Sequence, residues 1–160
     1  MNEVKYVRMA EMLPVIREKL QHDGEVIFNI TGNSMAPLLH HRKDQICLMK
    51  ARAGLLKKYD FPVFIRESTG SFVAHRVVSV NRDGSYNMCG DNQWNIERNV
   101  KPEQIIGIVT GIWRNGRYIS VQSKGYRLYC RIWCFFYPLR YLYLRGQSGV
   151  RKLFRLRICK

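Results

Sequence analysis

The sequence predicts a mainly β domain with a short N-terminal helix and a basic, amphipathic helical C-terminal tail. Three observations carry that reading. Between about residues 25 and 121, short runs of β-branched and aromatic residues alternate with turn signals such as Arg82-Asp83-Gly84 and Asn115-Gly116. Before them, Met9, Leu13, Ile16 and Leu20 recur at helical spacing within residues 8–22. After them, acidic residues stop at Glu103, and the texture turns basic and aromatic from about Lys124. At 160 residues, with a hydrophobic fraction of 46%, the chain has room for one domain, residues 1–123, and an appendage, residues 124–160.

Taken in order, the helix over 8–22 carries Pro14 early, so its regular part is expected to begin near Leu13, and Asp23-Gly24 ends it. Strands are then predicted at 25–30, 45–51 and 62–67, followed by a hairpin over 71–90 and a second hairpin over 105–121 that turns at Asn115-Gly116. In the tail, Leu128, Ile132, Phe135, Phe136, Leu139 and Leu142 form one apolar stripe. Arg127 and Arg145 are placed opposite that stripe, and Arg131 and Arg140 on its flanks. Gly146-Gln147-Ser148-Gly149 breaks the helix before a second basic segment, 150–160.

Charge and cysteine usage bound the setting. Residues 1–103 hold 15 Lys+Arg against 12 Asp+Glu, whereas residues 104–160 hold 12 Lys+Arg and no acid. Of the net +15, +12 thus lies in residues 104–160, which points to an anionic partner for the tail. Five cysteines at irregular spacing, with no CxxC, indicate neither a disulfide framework nor a zinc site, and no metal or organic cofactor is implied. Free thiols fit a reducing compartment. The N-terminal residues lack the apolar core of a secretory signal, and no uninterrupted apolar run is long enough to span a bilayer. The expected location is cytoplasmic, peripheral on the cytoplasmic membrane, and not secreted.

The chemistry starts from "TGNSMAPL", residues 31–38, which follows the first strand. It reads either as an ordinary surface turn or as a nucleophile, Ser34, presented at a strand end. A serine hydroxyl needs a base to take its proton. No lysine occurs between Lys58 and Lys101, the region of the central strands, but one histidine does, His75 in "FVAHRVV". A carboxylate is then needed to orient the imidazole. "CGDNQWNIE" offers Asp91 and Glu97. The choice between them stays open, with a lean to Asp91 because Gly90 and a strand end fix its position.

In that order, "GNSMAPLL", "AHRVVSV" and "CGDNQ" with a following acid resemble the successive boxes of the signal-peptidase and LexA-like serine peptidase superfamily, over roughly residues 25–113. The resemblance implies a compact β fold, Ser34 as nucleophile and, as in the endoplasmic-reticulum-type signal peptidases, His75 as base, with Asp91 or Glu97 at the two acidic positions of the later box. The sequence departs from this pattern in two ways. No apolar anchor precedes the core, and Gly32 stands where many members place a serine whose hydroxyl serves the oxyanion. Backbone N–H groups around Ser34, shaped by Gly32, Asn33, Met35 and Pro37, would then form the oxyanion and substrate pocket.

The expected function is a serine peptidase acting on an extended leader or precursor peptide that adds as a strand beside the site. The tail is expected to lie on an anionic membrane surface, apolar face down, with its Tyr and Trp residues at the interface. A tail that packs on the β core as an outer helix is the second possibility. The near-balanced charge of the body speaks against a nucleic-acid partner. A non-catalytic peptide-binding or regulatory module of the same fold is the alternative.

Overall fold

The computed structural model describes residues 9–51, 54–139 and 142. It is mainly β, with one helix before the strands and one after. Helix α1, Met9–Gln21, packs Ile16 and Leu20 into the core, with Leu13 partly buried beside them. It begins earlier than expected, and Pro14 lies inside it. The proline is the sixth residue of the helix, past the first turn, so the helix forgoes the bond that a residue 14 N–H would make to the Ala10 carbonyl.

The larger sheet is antiparallel. It is built on β8 (Ile105–Arg114), flanked on one edge by β2 (Gln45–Met49) and then β1 (Val26–Asn29). On the other edge β3 (Pro62–Ile65) pairs with the first part of β8 and β9 (Arg117–Ser120) with the last part. Strand β4 (Phe72–Ala74) extends the sheet beyond β3. Asn115 and Gly116 both take positive φ, 49° and 74°, the backbone that a two-residue hairpin turn between β8 and β9 requires. A second, three-stranded sheet runs β5 (Arg76–Val80), β6 (Tyr86–Cys89) and β7 (Glu97–Val100). The sequence pattern did not reveal β7, because only one of its four residues is buried.

The chain passes from one sheet to the other between β4 and β5, and the one residue between them is His75. The larger core holds Ile46, Leu48, Val63, Val109 and Ile112 from the first sheet together with Phe61 just before β3 and Met35 and Leu39 from the Ser34 loop. A second cluster, centred on Phe64, Val77, Tyr86 and Met88, lies between the sheets. Among the described residues, Cys47, Cys89, Cys130 and Cys134 form no disulfide.

Helix α2, Lys124–Phe135, is capped by Ser123, whose hydroxyl accepts the Tyr126 N–H at 3.2 Å. The helix corrects the expected division at residue 123. Tyr126 and Cys130 are buried members of the larger core, and Tyr129 packs against it. Of the aromatic residues expected at a membrane interface, Tyr126, Tyr129, Trp133 and Tyr137 face the domain instead, whereas Tyr141 and Tyr143 lie outside the described residues: Trp133 Nε1 donates to the Asp91 carbonyl at 2.9 Å, and the Tyr137 hydroxyl donates to the Trp94 carbonyl at 2.8 Å. These aromatic rings, not Arg127, occupy the face opposite the apolar stripe, because they have a core to pack against and polar tips that find backbone partners. The stripe itself is solvent-facing: Leu128, Ile132, Phe135, Phe136, Leu139 and Leu142 are all exposed. The glycine break at 146–149, Arg140, Arg145 and the second basic segment lie outside the described residues. Among the described residues, no helix is long and apolar enough to cross a membrane.

Two faces of one helix should therefore respond differently to substitution. Tyr126→Ala removes a core ring and should lower the free energy of unfolding by about 3 kcal/mol. Leu128→Ser, on the exposed stripe, should change it by no more than about 0.5 kcal/mol. Urea denaturation of the two variants checks both, and a chain ending at Gln122 should fail to unfold cooperatively.

Candidate active site

Ser34 lies in the turn after β1, half-buried, between buried Met35 and exposed Asn33. The loop is fastened at both ends. On one side Asn92 N–H donates to the Ser34 carbonyl at 2.7 Å, and Asn92 Nδ2 donates to the Asn33 carbonyl at 3.2 Å. Met35 is 2% exposed, and its Sδ receives the Asp91 N–H at 3.4 Å. On the other side buried Asp44 accepts from His40 N–H at 2.8 Å and from Arg114, which also donates to the Leu38 carbonyl. Burial raises the Asp44 pKa, but the hydrogen bonds from Arg114 and His40 outweigh it and hold the carboxyl below its ordinary value.

Gly90 brings the serine loop to the histidine. A Cβ on Gly90 would stand 2.6 Å from the Ser34 carbonyl oxygen and 3.1 Å from His75 Nε2. The absence of a side chain is what lets these two segments approach. His75 is 1% exposed, with the Phe64 ring edge-on to it at 6.2 Å between centroids.

On the other side of the imidazole, Nδ1 lies 2.8 Å from Glu97 Oε1. The separation is that of a hydrogen bond, but the N–H is poorly aligned with the oxygen, and Nδ1 has no other partner. Glu97 is itself gripped by Arg66, whose Nε donates to Oε2 at 2.7 Å and whose second nitrogen donates to Oε1 at 2.6 Å. This fork fixes the carboxylate plane. Burial pushes the Glu97 pKa up, yet the bonds from Arg66 and then His75 prevail and bring it down to about 2. Its position follows from strand pairing, since Glu97 in β7 sits opposite Met88 of β6, which in turn sits opposite Val77 of β5.

The lean toward Asp91 as the orienting acid is corrected by this geometry. Asp91 is 2% exposed and faces Arg76, which donates from Nε to Oδ1 at 2.9 Å and from a terminal nitrogen to Oδ2 at 2.7 Å. Tyr129 adds a third bond to Oδ2 at 3.0 Å. A neighbouring arginine in "HRVV" claims the nearer acid, and the imidazole is left to the farther one. Sequence reasoning missed Arg66 and Arg76. The second stood next to His75 in the quoted motif. The first carried no local signal, since the chain places it 31 residues from Glu97.

Among the pocket residues, Gly32 has φ +93° and donates its N–H to His41 Nδ1 at 2.8 Å, so that N–H is already engaged. The backbone N–H groups of Ser34 and Met35 make no hydrogen bond among the described residues. Pro37 is exposed, and the Ala36–Pro37 peptide is cis. A cavity of about 410 Å³ borders the acid, lined by Arg66, Asn92, Gln93, Trp94, Asn95 and Glu97. A second, of about 680 Å³, shares Trp94 and Asn95 and continues toward Tyr137, Pro138 and Leu142. Compared with known proteins, the chain matches no family model and no curated protein.

The acid's ionisation should be visible in stability. The folded pKa of Glu97, about 2, lies below its ordinary 4.5, so its contribution is complete above about pH 4.5 and is lost as the pH falls toward 2. After allowance for partial exposure, the contribution is on the order of 2 kcal/mol. Denaturation of the wild type and of Glu97→Gln from pH 7 to pH 2 should show a gap that closes through this window.

Proposed function

We propose that the protein is a serine peptidase in which Ser34 is the nucleophile, His75 the general base and Glu97 the orienting acid. The observation that carries the reading is the contact between His75 Nδ1 and a Glu97 oxygen at 2.8 Å, with Nε2 turned to the Gly90 position that the Ser34 backbone also approaches. A carboxylate held ionised at Nδ1 favours the tautomer whose Nε2 is unprotonated. That nitrogen is then the atom to accept the Ser34 proton as Oγ attacks a scissile carbonyl, and the adjacent Ser34 and Met35 N–H groups stabilise the oxyanion. The resemblance of the Ser34, His75 and Gly90-Asp91 boxes to signal-peptidase-like enzymes supports the same assignment. Asp91 belongs to the framework of the site rather than to the reaction.

The substrate of this reading is an extended leader or precursor peptide, whose flanking side chains occupy the trough over Trp94 and Asn95. The enzyme meets it at the cytoplasmic face of a membrane, where the exposed stripe of α2 lies in the interface. The aliphatic and Phe side chains of that stripe support this orientation, and the inward-facing tyrosines no longer contribute to it.

Ser34→Ala and His75→Ala should each abolish peptide cleavage and labelling of Ser34 by a serine-reactive probe. Glu97→Gln should lower kcat by on the order of 10³–10⁴, the effect of losing the correct imidazole tautomer. Asp91→Asn should act first on stability, by about 3 kcal/mol or more, because it leaves Arg76 buried without its counter-charge. Undiminished turnover by His75→Ala would end the assignment, and undiminished turnover by Glu97→Gln would reduce it to a Ser–His dyad.

A further inference from the structure

Beside α2 lies a cavity of about 520 Å³ that shares no lining residue with the Trp94 trough. Its floor includes Phe61 and Tyr126, and four cations line it: Lys57 and Lys58 from the segment before β3, Arg127 and Arg131 from α2. All four are exposed, and none is within ion-pairing distance of a carboxylate among the described residues. The one acid in the lining is Asp60, whose Oδ2 already accepts the Lys57 backbone N–H at 2.8 Å and whose pKa is raised by burial. Four cations against this one carboxylate, which also attracts the Lys57 charge, leave an excess that raises the potential of a concave site and favours an anion there.

The placement of these cations relative to the stripe says which anion. Arg127 and Arg131 each precede a stripe residue, Leu128 and Ile132, so they stand about 100° round the helix from it, on the cavity side. If the stripe enters an apolar layer, the mouth of the cavity lies at the level of the charged headgroups, where long basic side chains keep their heads. We propose that this cavity binds the phosphate of an anionic phospholipid headgroup while the stripe inserts beside it. This deepens the membrane reading of the proposed function and rests on it. Nucleic acid fits less well, because Leu128, Ile132, Leu139 and Leu142 make most of the stripe aliphatic and leave Phe135 and Phe136 as the rings on which bases could stack.

The test uses the full chain and co-sedimentation with phosphatidylcholine vesicles, with and without phosphatidylglycerol. The wild type should bind the anionic vesicles. The Lys57→Ala/Lys58→Ala double variant should bind about tenfold more weakly, and Arg127→Gln/Arg131→Gln should do the same from the helix side. The Arg82→Ala/Arg117→Ala double variant removes two exposed charges elsewhere and should weaken binding by less than about threefold, as expected for diffuse attraction. Equal loss in all three overturns the pocket and leaves general electrostatics. Soluble glycerol phosphate, at ionic strength matched with chloride, should displace no more protein than chloride does. Stronger displacement assigns the cavity to a free phosphorylated molecule and overturns the lipid proposal. A single-stranded oligonucleotide that loses affinity for the pocket variants more than vesicles do overturns it as well. A wild type that ignores both kinds of vesicle removes the membrane reading itself, and peptide cleavage by the same preparation would leave the peptidase reading standing.

Discussion

A buried ion pair, Arg76 with Asp91, is the joint from which the rest of the structure is hung. Bringing both charges out of water costs several kcal/mol each, and their attraction offsets that only when the remaining donors and acceptors are filled. Here they are. Beyond the two bonds to Asp91, the guanidinium donates to the Tyr59 carbonyl at 3.2 Å, to the Tyr126 hydroxyl at 3.1 Å and to Cys130 Sγ at 2.8 Å. The rings of Phe61, Tyr126 and Tyr129 lie 5.6–5.9 Å from its central carbon. Burial lowers the arginine pKa, but its bond and charge interaction with Asp91 prevail and raise it well above its ordinary value. Directional bonds of this kind tie together parts of the chain that an apolar contact would leave free to slide: the start of β5, the 90–93 turn and α2.

That joint decides the arrangement of the site. Asp91 holds the turn that contains Gly90, so the place where Ser34 and His75 approach one another is set by an interaction in which neither takes part. The second acid is held differently. Glu97 is partly exposed, reached by Arg66 from the β3–β4 hairpin, and it keeps one oxygen in common between the arginine and the imidazole. An acid saturated by a buried arginine serves the framework, whereas one shared with a histidine can respond when that histidine takes up charge.

The terminal helix joins these interior constraints to the surface. Its inner face completes the core and, together with Tyr137 just beyond its end, supplies three donors to the Asp91 region and the loop after it, the other two being Tyr129 and Trp133. Its outer face carries an apolar stripe that nothing in the chain covers among the described residues. A helix apolar on two faces is ordinarily buried on both. The stripe is flanked on one side by Arg127 and Arg131, so charge and apolar surface are presented together.

The sequence by itself determined the β character, the order of most strands, the Asn115-Gly116 hairpin and the identity of Ser34 and His75 as a possible pair. Each of these rests on local chemistry: alternating burial, turn residues that accept positive φ, and the types of side chain able to donate or accept a proton. It also showed the stripe of α2, because helical periodicity is a property of neighbouring residues. Only the tertiary structure decided which acid meets His75. That choice depends on Arg76 and Arg66, one adjacent to His75 and facing Asp91, the other reaching Glu97 from a different hairpin. Only the fold, likewise, showed that Tyr126 and Cys130 belong to the core rather than to a separate tail. An aromatic residue at helical spacing reads the same whether its partner is a bilayer or a β-sheet, and the partner is a long-range fact that spacing along the chain does not contain.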